Sequence, residues 1–131
     1  MWGEAGARLE VVTVFCEDLA AATRFYAEVL EAPLAFSNDD SAVFRMGGVL
    51  VNLLDARNAP ELVAPGRVAA PGLGDRIQLT IPVEDVEATC AELASRGVTL
   101  HNGPMDRPWG MRTATFRDPA GLLCEVAAEL G

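Results

Sequence analysis

Apolar and polar residues alternate along the chain with two different periods. Leu9–Cys16 is rich in valine, threonine and phenylalanine, which is typical of a β-strand. Asp18 follows as a helix N-cap, and the apolar residues of Leu19–Leu30 recur at spacings of three and four, which predicts an amphipathic helix. Turn residues then separate three further predicted strands, which are Leu34–Phe36, Ala42–Met46 and Val49–Leu54.

The same order of elements returns in the second half. Asp85 is a second N-cap, in front of a predicted helix over Val86–Arg96 that Gly97 ends. The turn Asp118–Gly121 predicts a hairpin, because Pro119 presets φ and Gly121 tolerates a positive φ. The predicted strands of this half are Arg76–Val83, Val98–Leu100, Arg112–Arg117 and Leu122–Val126.

This internal repeat predicts the fold class. We expect an α+β protein of two tandem βαβββ modules, residues 8–54 and 76–128, within a single domain. The modules would form a curved, cup-like mixed sheet with the helices on the convex face and a groove between them. Residues 55–75 hold three prolines and three glycines, so we predict a long connector, part of which could cover a site.

Composition and charge exclude several classes of function. The net charge of −9 argues against nucleic-acid binding, which depends on basic side chains that neutralise phosphates. No apolar run approaches the roughly 20 residues that span a bilayer, and the N-terminus lacks the apolar core of a secretory signal. The three cysteines neither pair off nor match a zinc spacing. We therefore predict free thiols in a cytoplasmic protein without membrane or nucleic-acid partners.

Strand periodicity selects the candidate ligand-binding residues. Successive side chains of a strand point to opposite faces, so if every second residue of the first strand packs under the helix, the residues between them face the groove. The last strand of each module adds one polar residue to the same groove, Asn52 in the first module and Glu125 in the second. Each set then holds one polar residue among apolar ones, which is typical of small-molecule sites, although ordinary strand residues facing water would look the same. The candidates on the first strands are Val11, Thr13, Phe15 and Gln78.

Glu125 needs a partner, because a charge in an apolar strand is costly unless it is paired. Arg112, Gln78 or a ligand cation could serve, and Arg112 could instead meet an acidic ligand. Aromatic and thioether side chains could wall the groove or line its mouth, although each could equally belong to the core. These candidates are Phe36, Phe44, Trp109 and Met111.

The order of these motifs resembles the vicinal oxygen chelate superfamily, which includes glyoxalase I, bleomycin-resistance proteins and extradiol dioxygenases. The resemblance rests on Val12–Leu30, on Trp109–Arg112 and on the motif Phe116–Glu125. It implies a paired βαβββ fold, usually dimeric, with a small-molecule site in each cup.

The resemblance also maps four metal-ligand positions of the family's enzymes onto Val11, Asn52, Gln78 and Glu125. Only Glu125 is a strong ligand, and none of the four is the imidazole that borderline metals favour. The single histidine, His101, is predicted near the loop before the hairpin. We therefore expect no metal and no other cofactor.

Two functions remain open. The first is a metal-free homodimeric binding protein of the bleomycin-resistance type, which holds an aromatic or cationic natural product or metabolite in the groove. The second is a lyase, isomerase or dioxygenase-like enzyme that uses Glu125 as a base or metal ligand.

Overall fold

The computed structural model describes residues 3–131, and the chain divides into two compact units that meet in sequence at Val68 and Ala69. Each unit has the order strand, helix and three strands, with the strands in one four-stranded mixed sheet. The predicted α+β fold of two βαβββ modules is confirmed. No helix within the described residues is long and apolar enough to cross a membrane.

In the first unit the sheet has the strand order β1-β4-β3-β2, with β1 parallel to β4 and the other pairs antiparallel. The helix α1 spans Leu19–Arg24 and continues as a π-helical turn over Phe25–Val29, so the predicted regular helix to Leu30 is wrong in its last turns. The strands are β1 Val11–Cys16, β2 Leu34–Ser37, β3 Ser41–Met46 and β4 Val49–Asp55.

The second unit repeats this topology with the strand order β5-β8-β7-β6, and β5 runs parallel to β8. Its helix α3, Val86–Ser95, matches the prediction, and Gly97 behind it takes a φ of +84°. The strands are β5 Gln78–Pro82, β6 Leu100–Asp106, β7 Met111–Arg117 and β8 Leu123–Glu129.

Both helices begin at the predicted N-caps. The Asp18 carboxylate accepts a hydrogen bond from the Ala21 amide at 3.0 Å, and the Asp85 carboxylate accepts one from the Ala88 amide at the same distance. Each contact satisfies an amide of the first turn that has no partner within the helix. The repeat seen in the sequence is therefore also a repeat of local hydrogen bonding.

Strand β6 is longer than predicted. The sequence suggested an end at Leu100, whereas the strand continues through Gly103 and Pro104 to Asp106 with two register shifts. Proline can stand in a strand at such an irregularity, where no ladder hydrogen bond is needed. A side chain at Gly103 would come within 2.5 Å of the Thr113 carbonyl oxygen, so this approach of β6 to β7 requires glycine.

The face of each sheet that packs under its own helix carries the core. Phe44 on β3 and Phe116 on β7 lie at equivalent register positions, and both are fully buried. Tyr26 packs on Phe44 with ring centroids 5.8 Å apart. The prediction that Phe44 walls a ligand groove is therefore wrong, since its ring belongs to the helix side of the sheet. The three cysteines are free and buried, as predicted, and burial raises the pKa of Cys124 to about 12.

The connector holds little regular structure, as expected. It contains a 3₁₀ turn over Ala56–Asn58 and the short helix α2, Pro60–Val63. Near its end Asp75 forms a bidentate ion pair with Arg117 of β7, at 2.7 and 2.8 Å. These hydrogen bonds lower the pKa of Asp75. The last part of the connector is thus fixed to the second unit by charge.

Candidate functional site

A row of polar side chains crosses the second sheet on the face turned away from α3, which we call the far face. Register pairs place Thr80 of β5 beside Glu125 of β8, Glu125 beside Thr115 of β7, and Thr115 beside Asn102 of β6. Neighbouring strands lie about 4.8 Å apart, so the row extends over roughly 15 Å. It is the polar counterpart of the apolar core on the other face.

Glu125 holds the centre of this row. Its side chain is half-buried, and its Oε1 accepts a hydrogen bond from the Thr80 hydroxyl at 3.0 Å. Within residues 3–131 no arginine or histidine forms an ion pair with it. The predicted pairing with Arg112 or Gln78 is wrong, because the carboxylate is held by a neutral hydroxyl. Its charge is left available for a ligand.

Thr115 lies directly opposite Glu125. Its side chain is 2% exposed, and its Oγ1 finds no hydrogen-bond partner in the described part of the chain. A buried hydroxyl without a partner costs roughly 1–3 kcal/mol. The far face therefore carries an unused hydrogen-bonding atom beside a carboxylate.

Arg107, which the sequence did not single out, closes the far end of the row. Its Nε donates to Thr113 Oγ1 at 2.9 Å, and its Nη2 donates to Asn102 Oδ1 at 3.3 Å. Its guanidinium carbon lies 5.9 Å from the ring centre of Trp109, close enough for a cation–π contact. The motif Arg-Pro-Trp-Gly could have pointed to Arg107. It was not used because β6 was predicted to end at Leu100, which left Arg107 outside the sheet.

Trp109 is 67% exposed, in the turn between β6 and β7. Met111 is half-buried at the start of β7, and strand alternation puts it on the far face together with Thr113 and Thr115. Gln78 is exposed and stands beside Leu123. These three predicted site residues therefore lie on, or next to, the face that carries Glu125.

Arg112 lies on the opposite face, contrary to its predicted role beside Glu125. Its register partner is Ala128, and its guanidinium binds Glu87 of α3 and, at 2.7 Å, Asp106. The hydrogen bonds that Arg112 donates to Asp106 and Glu87 raise the pKa of Arg112. Arg112 thus fastens the helix to the sheet.

The first unit presents an equivalent but less polar row. Thr13 pairs with Asn52, Asn52 with Val43, and Val43 with Phe36, which is 57% exposed. Asn52 donates to Thr13 Oγ1 at 3.4 Å, and its buried Oδ1 has no partner among the described residues. Val11 is exposed and Phe15 is half-buried in the same strand as Thr13.

The four family ligand positions do not suit a transition metal. Val11 offers no donor atom, Asn52 and Gln78 offer neutral amides, and Glu125 offers one carboxylate. No group of three or more histidine, cysteine, aspartate or glutamate side chains that could hold a metal is found in residues 3–131. His101 lies exposed within β6, the strand that leads into the turn before β7.

Comparison with known proteins gives the family. A family model described as Glyoxalase/Bleomycin resistance protein/Dioxygenase superfamily matches residues 8–126. The chain belongs to this superfamily. The resemblance predicted from the motifs is confirmed.

The chain is also similar to individual proteins. The uncharacterized protein YraH of Bacillus subtilis (strain 168) is 29% identical over 123 residues, which cover 91% of this chain and 96% of YraH. A glyoxalase/bleomycin resistance protein/dioxygenase from Nocardioides is 25% identical with a TM-score of 0.82, over 94% of this chain and 83% of its own. TnmS3, an antibiotic binding protein from Streptomyces sp. CB03234, is 24% identical with a TM-score of 0.69, over 94% and 96%, and shares the fold.

Proposed function

We propose that this superfamily member binds a small aromatic or cationic natural product or metabolite on the far face of its second sheet, without a metal. The observation that carries the proposal is the half-buried Glu125 carboxylate, which has only the Thr80 hydroxyl as its partner in the described chain. A partly desolvated charge gains most from a cation or a strong donor. A ligand ammonium or amidine group would supply that partner.

The neighbourhood of Glu125 supports the same proposal. Trp109 presents an exposed indole in the turn before β7, and Met111 lies half-buried on the far face. Placed polar groups together with aromatic or apolar surface are typical of small-molecule sites. The antibiotic binding protein TnmS3, which shares the fold, gives an example of such a use of this architecture.

A direct test uses naphthylmethylammonium as a probe, since it combines an aromatic ring with one cationic group. Glu125→Gln keeps the shape of the side chain and removes its charge. Losing a charge-assisted hydrogen bond should weaken binding about ten- to a hundredfold, measured by isothermal titration calorimetry. Glu92→Gln, on the exposed side of α3, removes the same charge away from the far face and should change little.

Equal probe affinities for the Glu125 and Glu92 variants would contradict the proposal, as would failure of the native protein to bind the probe. Native mass spectrometry of the freshly purified protein is an independent measurement, because a co-purified organic ligand would identify its own class. The same spectra check the predicted homodimer, which together with a cytoplasmic location remains a prediction from the sequence.

A second candidate is a lyase or isomerase of the same superfamily in which Glu125 acts as a base. The same observation favours it, because a carboxylate without an ion-pair partner can accept a proton from a bound substrate. Turnover that Glu125→Gln abolishes while the probe still binds would distinguish this candidate from pure binding.

A further inference from the structure

Arg107 differs in the kind of partner it has from the arginines that form ion pairs within the two units. Arg57, Arg96, Arg112 and Arg117 each bind a carboxylate. Within residues 3–131, Arg107 has only neutral acceptors and an aromatic ring, although the chain carries nineteen acidic residues. Its positive charge is half-buried, and no anionic side chain of the described residues forms an ion pair with it.

The two hydrogen bonds of Arg107 fix its orientation. A guanidinium has five N–H donors, and here Thr113 and Asn102 use one on Nε and one on Nη2. Both donors of Nη1 and the second donor of Nη2 are left. The remaining N–H groups on Nη1 and Nη2 lie side by side at the tip of the guanidinium, where they can bind a carboxylate or phosphate through two parallel hydrogen bonds.

We propose that Arg107 is an anion subsite on the far face of the second unit, and that it takes an oxyanion carried by an aromatic group that contacts Trp109. The inference rests on the proposed function, since it names a second chemical group of the same ligand. A ligand that reaches both ends of the polar row would be amphoteric, with a cation or donor at Glu125 and an anion at Arg107. The unpartnered hydroxyl of Thr115 lies between these two positions.

The net charge of −9 opposes an anion at long range, but this repulsion does not decide the outcome. Exposed charges more than about 10 Å away are largely screened at 0.1 M salt. A contact between an oxyanion and a half-buried guanidinium is screened much less, and Thr113 and Asn102 already hold the guanidinium in place. The local ion pair therefore outweighs the overall charge.

Naphthoate tests the subsite, because it pairs the same ring with a carboxylate. Arg107→Gln should weaken naphthoate binding about ten- to a hundredfold in calorimetry, while naphthylmethylammonium binding is kept. Arg107→Lys keeps the charge without the fork, and we expect an intermediate loss. Arg96→Gln, which removes the arginine that directly follows α3, is the matched control and should bind naphthoate like the native protein.

The naphthoate and naphthylmethylammonium measurements distinguish failure of the anion subsite from failure of the proposed function. Equal naphthoate affinities for Arg107→Gln and Arg96→Gln, or no binding of naphthoate by the native protein, would overturn the subsite whatever the ammonium probe does. If the native protein and Glu125→Gln bind naphthylmethylammonium with equal affinity, the proposed function is overturned, but the naphthoate result is unaffected. Bound naphthoate should also shift the indole N–H resonance of Trp109 in NMR spectra, and an unmoved resonance counts against the subsite. Arg107→Lys serves if Arg107→Gln does not fold.

Discussion

The sheets of the two units carry similar residues on the helix side and different residues on the far face. On the helix side, Phe44 and Phe116 occupy equivalent buried positions. On the far face, the row Thr13, Asn52, Val43 and Phe36 in the first unit corresponds to Thr80, Glu125, Thr115 and Asn102 in the second. The repeated face carries the apolar core, and the face that differs carries the polar residues of the proposed site. The charge and the buried hydroxyl are both in the second unit.

The largest expected effect tests the shared face. Phe44→Ala and Phe116→Ala should each lower the free energy of unfolding by about 3–5 kcal/mol, because each removes a fully buried ring and leaves a cavity. Urea denaturation measures both. Phe36→Ala is the control, since its ring is 57% exposed, and it should change stability by about 0.5 kcal/mol or less. If either alanine variant loses as little unfolding free energy as Phe36→Ala, the two buried positions are not equivalent.

The second expected effect tests the face that differs. Thr115→Val gives the second unit the residue that the first has at Val43, with nearly the same shape. It removes a buried hydroxyl that has no partner in the described residues, so the protein should become about 1–3 kcal/mol more stable to urea. The reverse change Val43→Thr, at a half-buried position, should cost less than this gain. Destabilisation by Thr115→Val would show that the hydroxyl is satisfied in solution.

The sequence predicts the shared features better than the differences. Periods of two and three to four residues, together with Asp18 and Asp85, are local signals, and they are enough for the fold. Arg112 was misplaced because its face depends on the hairpin register, in which Thr115 and not Arg112 stands on the side of Glu125. Arg107 was missed because two irregularities carry β6 past Pro104, and such irregularities depend on contacts between strands.

The third expected effect returns to the repeat. Asp18→Ala and Asp85→Ala should each cost about 1 kcal/mol of stability, because each removes an N-cap hydrogen bond of the same length. Thermal unfolding followed by circular dichroism would show two similar decreases in Tm. The matched variants Asp18→Asn and Asp85→Asn keep the acceptor oxygen and should lose little. If only one alanine variant is destabilised, the two caps are not equivalent.

The smallest expected effect concerns a charge pair that only the second unit forms among the described residues. Arg45 and Arg117 occupy equivalent register positions, but Arg117 is bound by Asp75, whereas Arg45 is exposed on its strand. Hydrogen bonds from Arg117 lower the pKa of Asp75, so the pair contributes stability above the carboxylate's unfolded pKa of about 3.9. This contribution is lost as the pH falls through the lower pKa of the folded state.

Asp75→Asn should therefore lower Tm slightly at about pH 7, and the difference from the native protein should be smaller at about pH 2, because the carboxylate loses its charge as the pH falls through its lowered pKa. The effect is small because the pair is accessible to solvent, which weakens its attraction. Asp39→Asn, in the exposed turn before β3, is the control and should give no such difference at either pH. A Tm difference that persists unchanged in acid would mean that Asp75 stabilises the connector by packing, and the contrast between Arg117 and Arg45 would then not be one of charge.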